Sequence, residues 1–219
     1  YHEYDDKVML ETQYQSMKGW VKYLKSRAKE NYIYPGGRYG DWLSFSSTAS
    51  DYPGAFTDKE FVGTAYFARS TQLLAQAAQI LGKEEDRKTY SELLSRIKQS
   101  FQKEFVTRNG RLSPNTQTAY VLALSFDLLP EDIRKDAAQR LADDVRKFGH
   151  ITTGFLGTPE ICNVLSDYGH DDEAYMLLFR KKFPSWLYPV TVGATTVWES
   201  WDAILPDGTF NKGSLNHFA

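Results

Sequence analysis

The sequence has few of the features that mark several common classes of protein. Its 219 residues include one cysteine, Cys162, which excludes an internal disulfide and lies in an apolar helical pattern typical of a small core residue. Lysine and arginine number 26 against 28 aspartates and glutamates, a net charge of −2 that offers no basic surface to nucleic acid or to an anionic membrane. No apolar run approaches the roughly 20 residues of a membrane span, and periplasmic, extracellular and cytoplasmic locations all stay open.

Motifs that hold cofactors and metals are lacking as well. There is no Gly-rich phosphate loop and no nucleophile elbow of the G-x-S-x-G kind. The four histidines are not spaced with cysteine or aspartate as metal ligands are. We therefore expect neither a cofactor nor a bound metal.

What the sequence does contain is helical periodicity. Apolar residues recur at helical spacing from Asp5 to about Glu30. The sequence Thr57-Asp58-Lys59-Glu60 predicts a capping box that begins a helix ending near Leu81-Gly82. A further helix is predicted from about Glu84 to Phe105, so that two antiparallel helices are joined by a short turn.

Strongly apolar helices then alternate with amphipathic ones. Residues 116–128 are almost wholly apolar, whereas the helix predicted after Pro130 has a polar face, and the alternation repeats over residues 158–182. The pattern predicts an all-α toroid of helical hairpins with apolar helices inside, and a helical solenoid is the competing layout. Short strands are predicted only around Thr191-Val192 and Ile204.

The stretch at residues 193–202 has the composition of a carbohydrate site. Glu199 stands between Trp198 and Trp201, after a run of glycine, alanine and threonine. Aromatic faces can stack on the apolar face of a sugar ring, and a carboxylate between them can bind hydroxyls or activate water. In the alternative interpretation, both tryptophans are core residues and Glu199 points to solvent.

Other loop clusters contain the same kinds of residue. If the helices form a toroid, these clusters converge with Glu199 on one mouth. Asp41 is then either a turn residue or an acceptor for sugar hydroxyls, Trp42 either closes the barrel end or meets the sugar, and His217 is either structural or a site residue. The clusters are Gly40-Asp41-Trp42, Thr152-Thr153-Gly154-Phe155-Leu156-Gly157-Thr158 and Ser214-Leu215-Asn216-His217.

These residues also carry a family resemblance that spans essentially the whole chain. The sequence resembles the catalytic domain of the bacterial α-L-rhamnosidases, glycoside hydrolase family 78. The motifs that carry the resemblance, in order, are Gly40-Asp41-Trp42, Thr64-Ala65-Tyr66-Phe67-Ala68-Arg69, Gln117-Thr118-Ala119-Tyr120, Thr153-Gly154-Phe155-Leu156-Gly157-Thr158, Pro184-Ser185-Trp186-Leu187-Tyr188, Gly193-Ala194-Thr195-Thr196-Val197-Trp198-Glu199 and Asn216-His217-Phe218-Ala219.

The resemblance implies an (α/α)6 barrel that hydrolyses terminal α-L-rhamnosyl bonds with inversion at the anomeric carbon. Glu199 is similar in position to the family's general base. Trp42 would pack against the rhamnose, and His217, in its Asn-His motif with Asn216, would bind a sugar hydroxyl. The weaker correspondences, as wall and support residues of the substrate site, are Trp198, Trp201 and Asp41.

One departure from the family pattern concerns the second carboxyl group. The family's general acid lies in a D-E-R-x-G-W-x-G-D type motif, and no such string occurs in this sequence. We therefore expect residues 1–219 to be one segment of an (α/α)6 catalytic domain, truncated at both ends and inactive alone, whose acid lies upstream in the rest of the parent chain. The expected partner is a rhamnose-containing oligosaccharide, polysaccharide or plant glycoside.

Two other functions remain open from the sequence. In the first, the chain is a non-catalytic carbohydrate-binding helical module that keeps an aromatic cleft without a working acid. Alternatively, it belongs to a glycosidase of the same barrel architecture that acts on another sugar, such as a glucosyl or glucuronyl substrate.

Overall fold

The computed structural model describes residues 1, 4–44, 57–211 and 213–217. The loop predicted over residues 40–54 is described only as far as residue 44. Within the described ranges the chain forms eight α-helices, and its β-structure is limited to two isolated antiparallel bridges. The helices are α1 (Lys7–Arg27), α2 (Lys59–Ile80), α3 (Glu84–Phe105), α4 (Gln117–Ser125), α5 (Glu131–Phe148), α6 (Ile161–Asp167), α7 (Asp171–Leu178) and α8 (Leu187–Thr191).

Six of the helices form three hairpins in two layers. Helix α2 packs against α3, α4 against α5, and α6 against α7. Helix α4 also contacts both α2 and α6, which makes these three the inner layer, and α1 packs on α2. The predicted alternation of inner and outer helices is therefore confirmed.

Burial follows the composition of each helix. Every residue of α4 from Gln117 to Leu124 is buried, because a short helix that is apolar on all sides must be covered on all sides. In α3, only a stripe at every fourth position is buried: Leu93, Ile97, Phe101 and Phe105. Phe61 of α2 meets two of these rings, with centroid distances of 4.9 Å to Phe101 and 5.1 Å to Phe105. The hairpin α2–α3 is thus joined by an aromatic contact between its layers.

The two ends of α5 are set by charged residues and by a glycine. Glu131 and Asp132 lie in its first turn and Arg146 and Lys147 in its last, which complements the helix dipole at both ends. Gly149 ends the helix in the left-handed conformation, at φ 67°, where glycine has no Cβ to clash. The polar residues that follow Gly149 are thereby directed into the loop before α6.

Two local predictions are wrong. The N-cap of α2 is Asp58, whose carboxylate accepts from the backbone N–H of Glu60 and Phe61, whereas the Thr57 hydroxyl pairs with that of Thr116, the N-cap of α4, at 2.7 Å. Thr57 is therefore used for a contact between helices rather than for a capping box. Thr191 lies in α8 and not in a strand, because a local helical turn satisfies its backbone.

The predicted strand at Ile204 is reduced to one bridge with Phe210, across the turn that contains Gly208. The backbone N–H of Leu205 donates to the carbonyl of Thr209 at 2.9 Å in that turn. Among the helices described here, none combines the length and the apolar composition needed to cross a membrane.

Candidate active site

Distant loops meet at the N-terminal end of α4. Asp41 lies in the loop between α1 and α2, and residues 149–160 connect α5 to α6. The hydroxyl of Thr118, in the first turn of α4, donates to Oδ2 of Asp41 at 2.5 Å. Asp41 also accepts from backbone N–H groups of the 149–160 loop, so its carboxylate links the inner helix α4 to two loops.

Asp41 is fully buried, and both its oxygens are used within the protein. Its side chain accepts from the backbone N–H of Gly154 at Oδ2 and of Leu156 at Oδ1, each at 2.9 Å, in addition to the Thr118 hydroxyl. Burial raises the pKa of Asp41 above its usual value, and these hydrogen bonds act in the opposite direction because they favour the charged form. With 0% of Asp41 exposed, its carboxylate is turned into the protein and presents no acceptor at the surface.

The two loops also touch through their backbones. The N–H of Phe155 donates to the carbonyl of Trp42 at 3.0 Å. A Cβ on Gly154 would lie 2.2 Å from that same carbonyl oxygen, so only glycine permits so close an approach. The half-buried Trp42 side chain is met edge-on by the exposed ring of Tyr39, at a centroid distance of 5.7 Å. Trp42 is therefore carried on a loop whose position is fixed on one side by residues 154–156.

Glu199 is held by the last described segment of the chain, residues 213–217. Its backbone N–H donates to the carbonyl of Ser214 at 2.9 Å, and its Oε2 accepts from the backbone N–H of Ser214 at 3.0 Å. The N–H of His217 donates to the carbonyl of Val197 at 2.9 Å, which pairs the same two segments a second time. No hydrogen bond reaches Oε1 of Glu199 from the described residues. One carboxylate oxygen is thus oriented by the protein, and the other has no hydrogen-bond partner among the residues described.

His217 lies beside this carboxylate. Its Nδ1 is 3.9 Å from Oε2 of Glu199, with 33% of the His217 side chain and 25% of the Glu199 side chain exposed. The imidazole also packs against the ring of Phe155, at a centroid distance of 5.5 Å and an interplanar angle of 59°. Phe155 therefore connects the Asp41 and Trp42 loop with the segments that contain Glu199 and His217.

The two tryptophans that flank Glu199 are largely taken up by packing. Trp198 is 9% exposed. Trp201 meets Trp186 edge-on at a centroid distance of 5.9 Å and packs on the core. Asn216 is exposed, and its backbone N–H donates to Oγ of Ser214 at 3.2 Å. The structure thus supports the core interpretation for the tryptophans but not for Glu199, whose side chain faces His217.

Two residues of this cluster, Thr118 and Phe155, are part of the sequence motifs but were assigned no role from the sequence. Thr118 supplies the hydroxyl that binds Asp41, and Phe155 packs on His217. The glycines near Phe155, at 154 and 157, were the available signal, because closely spaced glycines in a loop indicate close approach of other chain segments. Their partners lie too far away in sequence to be read from the loop itself.

The arrangement suits a polyhydroxylated ligand. A carboxylate with a free oxygen can accept a proton from a water, and an imidazole beside it can bind a hydroxyl. Aromatic rings at Trp42 and Phe155 give the same site apolar surface. Within the part of the chain that the structure describes, no group of three or more histidine, cysteine, aspartate or glutamate side chains is placed to hold a metal ion.

Two known α-L-rhamnosidases are similar to this chain in sequence. The α-L-rhamnosidase of Streptomyces avermitilis is 42% identical over 219 residues, which is 100% of this chain and 20% of that protein. An α-L-rhamnosidase of Formosa agariphila is 38% identical over 225 residues, 100% of this chain and 24% of that protein. The chain thus spans about a fifth to a quarter of the length of these relatives.

The fold is shared with solved structures. The crystal structure of Streptomyces avermitilis α-L-rhamnosidase complexed with L-rhamnose matches 98% of this chain and 20% of that one, with 43% identity and a TM-score of 0.88. The predicted (α/α)6 toroid of helical hairpins is therefore confirmed. The family described as the bacterial α-L-rhamnosidase 6 hairpin glycosidase domain matches residues 1–219. The chain, over its whole length, belongs to this family of six-hairpin glycosidase domains.

Proposed function

We propose that the complete protein hydrolyses terminal α-L-rhamnosyl bonds with inversion at the anomeric carbon, and that Glu199 is its general base. The observation that carries this proposal is the state of the Glu199 carboxylate. Oε2 is fixed by the Ser214 N–H and lies near His217, while Oε1 accepts no hydrogen bond from the described residues. A base must be oriented and also have a lone pair free for the proton that it removes.

In the proposed reaction, Oε1 of Glu199 takes a proton from a water molecule. The water oxygen then forms a bond to the anomeric carbon while the bond from that carbon to the glycosidic oxygen breaks. A general acid protonates the leaving oxygen, so the products are rhamnose of inverted configuration and the free alcohol. Inverting glycosidases use two carboxyl groups about 6.5–9.5 Å apart for these roles, which leaves room for the water.

The second carboxyl group is proposed to come from outside this chain. Asp41 is buried with both oxygens occupied, and Asp202 accepts from the side chains of Ser200 and Asn211. Neither carboxylate is therefore free to serve as the acid opposite Glu199. We accordingly assign residues 1–219 as one segment of an (α/α)6 catalytic domain that is inactive alone and is completed by the rest of the parent chain.

The substrate is proposed to be a rhamnose-containing oligosaccharide, polysaccharide or plant glycoside. Rhamnose combines hydroxyl groups with a methyl group, so its site needs polar and apolar surface together. His217 binds a hydroxyl through Nε2, which has no hydrogen bond among the described residues, and Trp42 packs against the sugar. Trp198, Trp201 and Asn216 contribute the wall behind Glu199, and Asp41 supports it from within.

The test is an assay of the complete protein on a panel of aryl glycosides. We expect release of the aryl alcohol from the α-L-rhamnoside and at least about 100-fold less from the glucoside and glucuronide, since hydrogen-bonding sites reject analogues strongly. Proton NMR of the first sugar formed should show the inverted anomer before mutarotation. Preference for another sugar would sink the substrate assignment, and rhamnose binding without hydrolysis would leave a carbohydrate-binding module.

Replacing Trp42 by alanine in the complete protein should raise KM for the aryl rhamnoside about fivefold or more, with a smaller change in kcat. The physical reason is the loss of aromatic surface against the sugar, since truncating a ring at the centre of a contact costs about 1 kcal/mol or more. The matched control is Trp20→Ala on α1, where the tryptophan is 52% exposed and stacks on Tyr23. An unchanged KM for Trp42→Ala would argue against packing on the sugar.

A further inference from the structure

The backbone around Phe155 is held by three successive hydrogen bonds. The three successive backbone N–H groups at 154, 155 and 156 donate to Asp41, to the Trp42 carbonyl and to Asp41 again, at 2.9, 3.0 and 2.9 Å. Each of these acceptors lies in one short turn of the loop between α1 and α2. The backbone on either side of the Phe155 ring is thus fixed by one rigid partner.

The same loop has no room to shift. A Cβ on Gly154 would lie 2.2 Å from the Trp42 carbonyl oxygen, and one on Gly157 would lie 2.7 Å from Cγ2 of Thr153. The acceptor in the centre, Asp41, is in turn bound to Thr118 of the inner helix α4. The position of Phe155 is therefore set by the barrel wall.

Within the described part of the chain, His217 has no comparable support of its own. It lies in the terminal segment 213–217, with its backbone N–H on the carbonyl of Val197 and its Nδ1 3.9 Å from Glu199. A third of its side chain is exposed, so rotation about its side-chain bonds is limited chiefly by what its ring touches. The ring it touches is that of Phe155, at 5.5 Å and 59°.

We propose that Phe155 is a positioning residue for His217, a role that rests on the proposed function. Its ring holds the imidazole with Nδ1 toward Glu199 and leaves Nε2 free for a sugar hydroxyl. Tilted ring pairs of this kind favour one mutual orientation, and here that orientation is transmitted from α4 through Asp41 and residues 154–156. Phe155 thus determines how well the site recognises the hydroxyl that His217 binds.

The chain contains a matched pair that serves as a control. Phe148 and His150 have rings 5.9 Å apart at 58°, close to the geometry of Phe155 and His217, and all four residues are half-buried. Phe148 lies at the C-terminal end of α5 and has been given no role in binding. Truncation of either phenylalanine removes the same kind of contact from a different histidine.

The kinetic test is a double-mutant cycle in the complete protein. Phe155→Ala should lower kcat/KM for the aryl rhamnoside about 3- to 10-fold, mainly through KM, as expected for one aromatic pair. In a His217→Ala background the same substitution should cost less than about twofold, because a residue that acts through His217 has nothing left to position. Phe155→Tyr should restore most of the loss, and Phe148→Ala should combine additively with His217→Ala.

The orientation itself is tested by the reaction of the imidazoles with diethyl pyrocarbonate, followed by mass spectrometry of the peptides. Phe155→Ala should speed modification of His217 and not of His150, whose Nδ1 is hydrogen-bonded to the Ile151 carbonyl at 2.8 Å, and Phe148→Ala should leave the reactivity of His217 unchanged. The positioning role would be overturned if the effects of Phe155→Ala and His217→Ala on kcat/KM were additive, or if Phe155→Ala left the reactivity of His217 unchanged. The proposed function would still stand in either case, provided that the wild-type protein hydrolyses the rhamnoside. If the wild-type protein hydrolyses no rhamnoside, both the proposed function and the positioning role are overturned. The reactivity of His217 then reports only the contact between its ring and that of Phe155.

Discussion

Replacing Glu199 by glutamine in the complete protein should lower kcat for an aryl α-L-rhamnoside by about 10²- to 10⁴-fold, the range typical of a lost general base. The amide has almost the shape of the carboxylate and can keep the contact with the Ser214 N–H through its oxygen. It cannot accept a proton from water, so KM should change far less than kcat. Steady-state kinetics at substrate concentrations on both sides of KM measure the two constants separately.

Two controls separate loss of the base from loss of structure. Asp202→Asn alters a carboxylate three positions further along, one that is hydrogen-bonded to Ser200 and Asn211, and should leave kcat within about threefold, as is usual away from the reacting atoms. Azide is a nucleophile that needs no deprotonation, so adding it to Glu199→Ala should restore turnover and form the inverted glycosyl azide. A Glu199→Gln protein with near wild-type kcat would refute the assignment.

Removing the carboxylate of Asp41 by the substitution Asp41→Ala should destabilise the site end of the barrel by about 3 kcal/mol or more. Three donors lose their acceptor: the Thr118 hydroxyl and the backbone N–H groups of Gly154 and Leu156. Each buried donor left without a partner costs about 1–3 kcal/mol. The expected effect is on local opening, since the three donors lie in one region of the fold.

Hydrogen exchange with mass spectrometry on the complete protein measures this effect directly. The peptide containing residues 152–158 should exchange on the order of 100-fold faster in Asp41→Ala than in the wild type, because about 3 kcal/mol corresponds to two decades in the opening equilibrium. The control is Asp132→Ala in the first turn of α5, an exposed carboxylate far from the 152–158 loop. Unchanged exchange in Asp41→Ala would mean that Asp41 does not hold this loop.

Asp41→Asn provides an intermediate case. With its amide oxygen in the place of Oδ2, asparagine can still accept from the Thr118 hydroxyl and the Gly154 N–H, whereas its NH₂ group faces the Leu156 N–H, which offers it no acceptor. We therefore expect faster exchange than in the wild type but slower exchange than in Asp41→Ala. This order of exchange rates distinguishes the loss of hydrogen-bond acceptors from the loss of side-chain volume. If volume alone mattered, Asp41→Asn would exchange at the wild-type rate.

Local features of the sequence were sufficient for the longer helices, but α8 was not predicted. The predicted third helix from Glu84 to Phe105 is confirmed at both ends, since acidic residues begin it and its apolar stripe runs to Phe105. Thr57 was predicted to cap α2 because the four-residue pattern fits a capping box, but its hydroxyl is bound to Thr116, which is 59 residues away. A capping pattern describes a segment in isolation and carries no information about a competing partner from another helix.

The site divides in the same way. The composition around Glu199 and the resemblance of its motif were enough to nominate the carboxylate, and the same reasoning nominated His217, Trp42 and Asp41. Whether Asp41 faces the sugar or the protein interior was left open by the sequence. Its burial and its bonds to residues 77 and 115 positions away decide in favour of the interior.

By itself, then, the sequence determined that this chain is helical and that apolar helices alternate with amphipathic ones, and it nominated the motifs that contain the candidate functional side chains. Periodicity and helix ends are set by interactions within a few residues, which makes them readable along the chain. Only the tertiary structure decided that Asp41 is buried and bound within the protein, that Trp198 and Trp201 are mainly packed, and that Phe155 meets His217. These contacts depend on how loops that are distant in sequence approach one another at the end of the barrel, and that approach is fixed by the packing of whole helices.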